Sequence, residues 1–131
     1  MEAFEKWFGM VNENEIQIII SRIQNALNVA KELTIENFKV IVDERARMKT
    51  YAIIWSGDEF HTFFLGDLFW NKKFIAERPQ ELVLVHELSH FDYVGTASDF
   101  DYGNKQCLDL AKENHKKALF NADNFEYFIQ S

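Results

Sequence analysis

The sequence predicts an α+β fold, from three observations along its 131 residues. Apolar residues recur every three or four positions from about Asn14 to Leu33, the period of an amphipathic helix. After Thr34 the period drops toward two, the mark of strands half buried on a sheet. Helical spacing returns from Pro79, and on it lies His86-Glu87-Leu88-Ser89-His90.

Met1 to Met10 read as a short amphipathic lead-in. In the helix that follows, Ile16, Ile19, Ile20, Ile23, Leu27 and Ala30 make the stripe expected to be buried, more simply against the core than against a partner helix. Phe38 to Val42, Thr50 to Trp55 and Phe60 to Leu65 read as three short strands, with Ser56-Gly57-Asp58 as a tight turn between the last two. Asp67 to Lys73 suits a short helix capped by Gly66 or Asp67, with Phe69 and Trp70 adding core area. Pro79 fits a first helical position, Glu81 the first turn and Gly95 the residue past the end. Leu84, Leu88 and Phe91 would bury the face opposite the histidines. A last helix is expected from about Asn104 to Phe120.

Residues four apart on a helix share a face, so His86 and His90 can offer two imidazole nitrogens to one metal ion. A catalytic zinc takes three protein ligands and keeps a further position for water, whose pKa it lowers toward about 7. Glu87, beside the histidines, can take that proton as general base. A third ligand is needed. The loop Gly95-Thr96-Ala97-Ser98-Asp99-Phe100-Asp101-Tyr102-Gly103 supplies two carboxylates and a phenol.

Together the helix and this loop resemble the aspzincins, the deuterolysin and peptidyl-lysine metallopeptidase family, whose signature is HExxH followed by GTxxDxxYG. Every fixed position is matched. The resemblance implies one zinc ion on His86, His90 and Asp99, Glu87 as general base, and Tyr102 as donor to the oxyanion, where a fixed hydrogen bond is needed. Only Asp99 sits at the family's ligand position, which leaves Asp101 a solvated or neighbouring carboxylate. The segment Asn121-Ala122-Asp123-Asn124-Phe125-Glu126-Tyr127-Phe128 resembles the lysine-specific members, in which an Asp and a Glu three apart line the pocket after the scissile bond. Asp123 and Glu126 are then the substrate-binding carboxylates, and two of them can hold a lysine ammonium at P1'.

The fold implied is zincin-like: helices on one side of a small, mostly antiparallel sheet, with the cleft below an edge strand. By analogy with zinc peptidases, Phe60 to Leu65 is the strand expected to align a substrate backbone. The function implied is zinc-dependent endopeptidase. Two other readings stay open, a toxic effector with a narrow protein target and an inhibitor or immunity protein to guard it, and a catalytically silent protein-binding module.

With 47% hydrophobic residues and 13 Phe, the chain has the material for a sizeable core, and Pro79 is the only proline, so residues 1–131 are expected to form one domain. A net charge of −7 argues against nucleic acid or anionic membrane as partner and suits cationic substrates. Cys107 alone excludes an internal disulfide, and it reads as a small buried side chain rather than a nucleophile. No basic-then-apolar leader opens the sequence, unlike fungal secreted members of the family, so the expected location is cytoplasmic or export by a signal-independent system. His61 and His115 are expected to carry no metal.

Overall fold

The computed structural model describes residues 2–131; Met1, the first residue of the expected lead-in, lies outside them. Helix α1 (Glu2–Phe8) is followed by α2 (Glu13–Glu32). Asn12 starts α2 with a reciprocal cap: its side chain accepts from Glu15 N at 2.9 Å and its own N donates to Glu15 Oε1 at 3.0 Å. The buried line of α2 differs from the expected stripe. Ile19, Arg22 and Val29 are buried, whereas Ile20 and Leu27 face solvent. A spacing of three and four is compatible with two neighbouring stripes, and the buried one is the stripe that places Ile19 with Trp7, Phe8, Cys107 and Leu119, and Val29 with Phe63 and Leu65. Arg22 lies on the same stripe. Its guanidinium donates to the Leu119 carbonyl and lies 4.3 Å from the Phe120 ring.

The sheet has three strands, β1 (Phe38–Val40), β2 (Ala52–Ile53) and β3 (Phe63–Leu65), in the order β1-β3-β2. The β2–β3 pairing is antiparallel, with Ala52 opposite Leu65, and β1 runs parallel to β3, with Phe38 opposite Phe63. A helix, α3 (Glu44–Lys49), capped by Asp43, makes the parallel crossover possible. The edge-strand expectation is therefore corrected. Phe60 sits exposed in a turn, and β3 is the central strand, paired with β1 on one side and β2 on the other, with Phe63 and Leu65 buried in the core cluster. Beside the cleft the edge is β2.

Two short helices, α4 (Asp67–Trp70) and α5 (Lys72–Glu77), lead to α6 (Gln80–His90), which carries the histidines. Pro79 caps α6 from just outside it. Leu88 and Phe91, with Leu84 partly buried beside them, bury the face opposite the histidines in one cluster with Phe63, Leu65 and Phe69, and Val83 joins that cluster from the histidine side. The expected final helix breaks at Asn114 into α7 (Asn104–Glu113) and α8 (His115–Leu119), since the Asn114 side chain accepts from Lys117 N and caps a new start. Helix α9 (Ala122–Gln130) then packs along α6. A second cluster, Trp7, Phe8, Ile19, Cys107 and Leu119, ties α1 and α2 to α7 and α8. No helix among the described residues is long and apolar enough to cross a membrane.

Candidate active site

On α6 the rings of His86 and His90 meet with their Nε2 atoms 3.2 Å apart. Each ring is oriented by an acceptor on its other nitrogen. His86 Nδ1 donates to Asp123 Oδ1 at 2.6 Å, and His90 Nδ1 donates to the Ala97 carbonyl at 2.7 Å. A proton held on Nδ1 leaves the Nε2 lone pair free for a metal.

The loop after α6 brings up Asp99. The turn closes with Gly95 N donating to Phe91 O at 3.0 Å. A Cβ on Gly95 would lie 2.7 Å from Arg22 Cδ, so the buried arginine requires glycine there. Thr96 takes φ +51, Ala97 N donates to Ser89 O at 2.9 Å, and Ser98 pairs with the α8–α9 junction through Phe120 O at 2.8 Å and Ala122 N at 2.9 Å. Asn121 finishes the clamp: its Oδ1 accepts from Phe100 N at 2.8 Å and Asp101 N at 3.2 Å, and its Nδ2 donates to Asp101 O at 3.0 Å. Asn124 carries the same network to the carbonyls of Trp7 and Cys107. What this holds of Asp101 is its backbone. Asp99 is the residue whose side chain reaches the histidines, Oδ1 lying 3.0 Å from His86 Nε2 and 3.2 Å from His90 Nε2.

The three atoms thus form a triangle with edges of 3.0, 3.2 and 3.2 Å. Tetrahedral zinc with bonds of about 2.1 Å separates its ligand atoms by about 3.4 Å, so this donor set fits a zinc ion. The local field agrees. Burial alone would lower the His86 pKa, but hydrogen bonds to Asp123 and Asp99 overcome it and raise it to about 11. Asp99 is held well below the usual carboxylate range, burial being outweighed by its bonds to the two histidines. The pocket favours positive charge.

Glu87 and Tyr102 line the same cleft, of about 620 Å³, whose far wall is β2 with Ile54 beyond it. Burial raises Glu87 to about 7, with the histidines pulling it back, and burial plus the Asp99 charge raise Tyr102 to about 12, so the phenol keeps its proton. Tyr102 stacks near His86, with ring centroids 6.4 Å apart.

Asp123 and Glu126 lie behind the histidines on α9, only 6% and 3% exposed. Asp123 Oδ2 accepts from Gly103 N at 2.9 Å while Oδ1 faces His86. Glu126 is gripped by Arg78, with Nη2 to Oε1 at 2.6 Å and Nε to Oε2 at 3.3 Å. Sequence reasoning missed Arg78, which follows α5 with no motif around it. It also missed Asn121 and Asn124 as loop clamps, although the segment that drew attention to Asp123 and Glu126 contains both. His61, in a turn at φ +54, packs on Phe91 at 4.7 Å, and His115 faces Glu15 at 3.5 Å. Burial pushes the Cys107 thiol up to about 12, as for an inert buried cysteine.

The sequence model of the aspzincin family, described as lysine-specific metallo-endopeptidase, matches residues 1–130. An extracellular protease of Aeromonas hydrophila is 29% identical over 99% of this chain and 36% of its own length. A peptidyl-Lys metalloendopeptidase of Grifola frondosa is 37% identical over 63% of this chain and 23% of its own. The chain therefore spans about a third or less of these relatives. The solved structure of a zinc peptidase from Grifola frondosa superposes with a TM-score of 0.79 and 26% identity, covering 96% of this chain and 74% of that one.

Proposed function

Because the chain belongs to the aspzincin family of lysine-specific metallo-endopeptidases, we propose that it is a zinc-dependent endopeptidase cutting before lysine. The observation that carries this reading is the triangle of His86 Nε2, His90 Nε2 and Asp99 Oδ1 beside Glu87 in an open cleft.

His86, His90 and Asp99 would hold the ion. Zinc there supplies Lewis-acid polarisation of the scissile carbonyl and a lowered pKa for water. Glu87 takes the proton of the attacking water and later returns it to the leaving amine. Tyr102 Oη, protonated at neutral pH, donates to the carbonyl oxygen as negative charge develops. The edge of β2 aligns the substrate backbone by strand addition, in place of the strand expected from sequence. Asp123 and Glu126 attract the lysine that follows the cut bond. Intact ligands, base and phenol count against a silent module. For compartment we infer export from the cell, of the two locations left open by the sequence; the support is the Aeromonas relative, an extracellular protease.

Cleavage-site mapping tests the proposal. The zinc-loaded protein is incubated with denatured protein substrate, and the new amino termini are sequenced beside a Glu87→Gln control. Termini beginning with lysine are expected, with turnover in the control lower by about 10²–10⁴-fold at equal zinc content. Near-normal activity of Glu87→Gln would overturn the assignment of the base, and termini without lysine would remove the pocket.

A further inference from the structure

The acidic pair that would receive a substrate lysine already faces a cation of this chain. Besides its two bonds to Glu126, Arg78 places Nη2 3.6 Å from Asp123 Oδ1. Its guanidinium lies 5.1 Å from the centre of the Tyr51 ring, which supports it from another side. Arg78, Tyr51 and His86 line the cleft, whereas Asp123 and Glu126 do not and are buried against Arg78 and His86. An ammonium coming from the cleft would find both carboxylates already paired with a guanidinium of like charge to its own. Arg78 lies outside regular helix, at φ −141 and ψ 96, and keeps 26% of its side chain exposed.

We propose that Arg78 is a specificity-determining residue: its guanidinium occupies the Asp123–Glu126 pocket, and a lysine side chain enters only when Arg78 swings off Glu126. The proposal rests on the reading of that pair as the lysine pocket. Its consequence is a lysine preference weaker than an unoccupied acidic pair would give, because binding competes with an internal partner whose effective concentration is fixed by the chain.

The test is titration calorimetry of L-lysine amide, with L-norleucine amide as the uncharged control, into the zinc-loaded protein and its Arg78→Gln and Arg78→Lys variants. Arg78→Gln is expected to bind lysine amide at least about tenfold tighter than wild type, the factor for a pocket free about one-tenth of the time. Norleucine amide should be unchanged. Arg78→Lys, which keeps the charge but loses the two-point grip, is expected to fall between, and it decides the matter if Arg78→Gln does not fold. Equal or weaker lysine amide binding in the variants, no binding in any of the three, or equal tightening of norleucine amide would each overturn the proposal. Peptide cleavage measured alongside separates the two readings. Tighter lysine binding with no cleavage by any protein keeps the role of Arg78 and discards the peptidase, and cleavage before lysine without tightening does the reverse.

Discussion

Two groups of charged side chains share the wall between α6 and α9, and they are built in opposite ways. In the first, His86, His90 and Asp99 turn three atoms toward a common centre, while the outer nitrogens of both rings are tied to Asp123 and Ala97. In the second, Asp123 and Glu126 are closed off by His86 and Arg78, so their charges are already answered from within the chain. The first group is arranged to receive a cation from outside. The second holds one of its own, and the two meet at Asp123, which orients the His86 ring with one oxygen and the end of the loop at Gly103 with the other.

Breaking the first group has the largest expected effect. Asp99→Ala removes one corner of the triangle, and zinc content by elemental analysis and peptide cleavage should both fall to background. If zinc remained at one per chain, the triangle would not be the metal centre. Asp123→Ala removes the acceptor that orients His86, and the expected loss of zinc affinity is about 10–100-fold, read by competition with a coloured chelator. An unchanged affinity would separate the two groups entirely.

Glu126→Gln tests the second group, since Glu126 Oε1 stands 3.5 Å from His86 Nδ1 whereas Asp123 Oδ1 is at 2.6 Å. Zinc affinity should fall much less than in Asp123→Ala, and denaturant melts should show a loss of about 1.5–3 kcal/mol as a charged, buried hydrogen-bonded pair becomes a neutral one. A loss of zinc affinity as large as that of Asp123→Ala would merge the groups. The smallest effect is expected from Asp101→Asn, because the Asn121 clamp uses the backbone of that residue. Stability should shift by no more than about 0.5 kcal/mol, with zinc content unchanged. Loss of zinc there would move the third ligand from Asp99 to Asp101.

Much of the candidate site's arrangement was legible in the sequence because its parts are local. The four-residue spacing of His86 and His90 is one turn of helix, and Asp99 follows on a short loop whose length is set by the chain itself. Strand pairing was less legible. The alternation around Phe63 and Leu65 marks a strand but says nothing of its neighbours, and a hidden helix, α3, between Glu44 and Lys49 let β1 run parallel and made β3 central. Arg22 was passed over for the same kind of reason. A buried cation is read from what packs on it, here Gly95, Leu119 and Phe120, all more than 70 positions away along the chain.

By itself the sequence determined the α+β class and the helix that presents His86, Glu87 and His90 on one side, and through its family resemblance it pointed to Asp99 as their candidate partner, since these depend on backbone periodicity and on motifs within a few turns. Only the tertiary structure decided that Asp123 faces a histidine, that Arg78 meets Glu126 across 48 positions, and that β2 borders the cleft. Ion pairs and sheet edges are made between segments far apart in the chain, and which segments meet is set by how the apolar faces of α2, α6 and α9 pack.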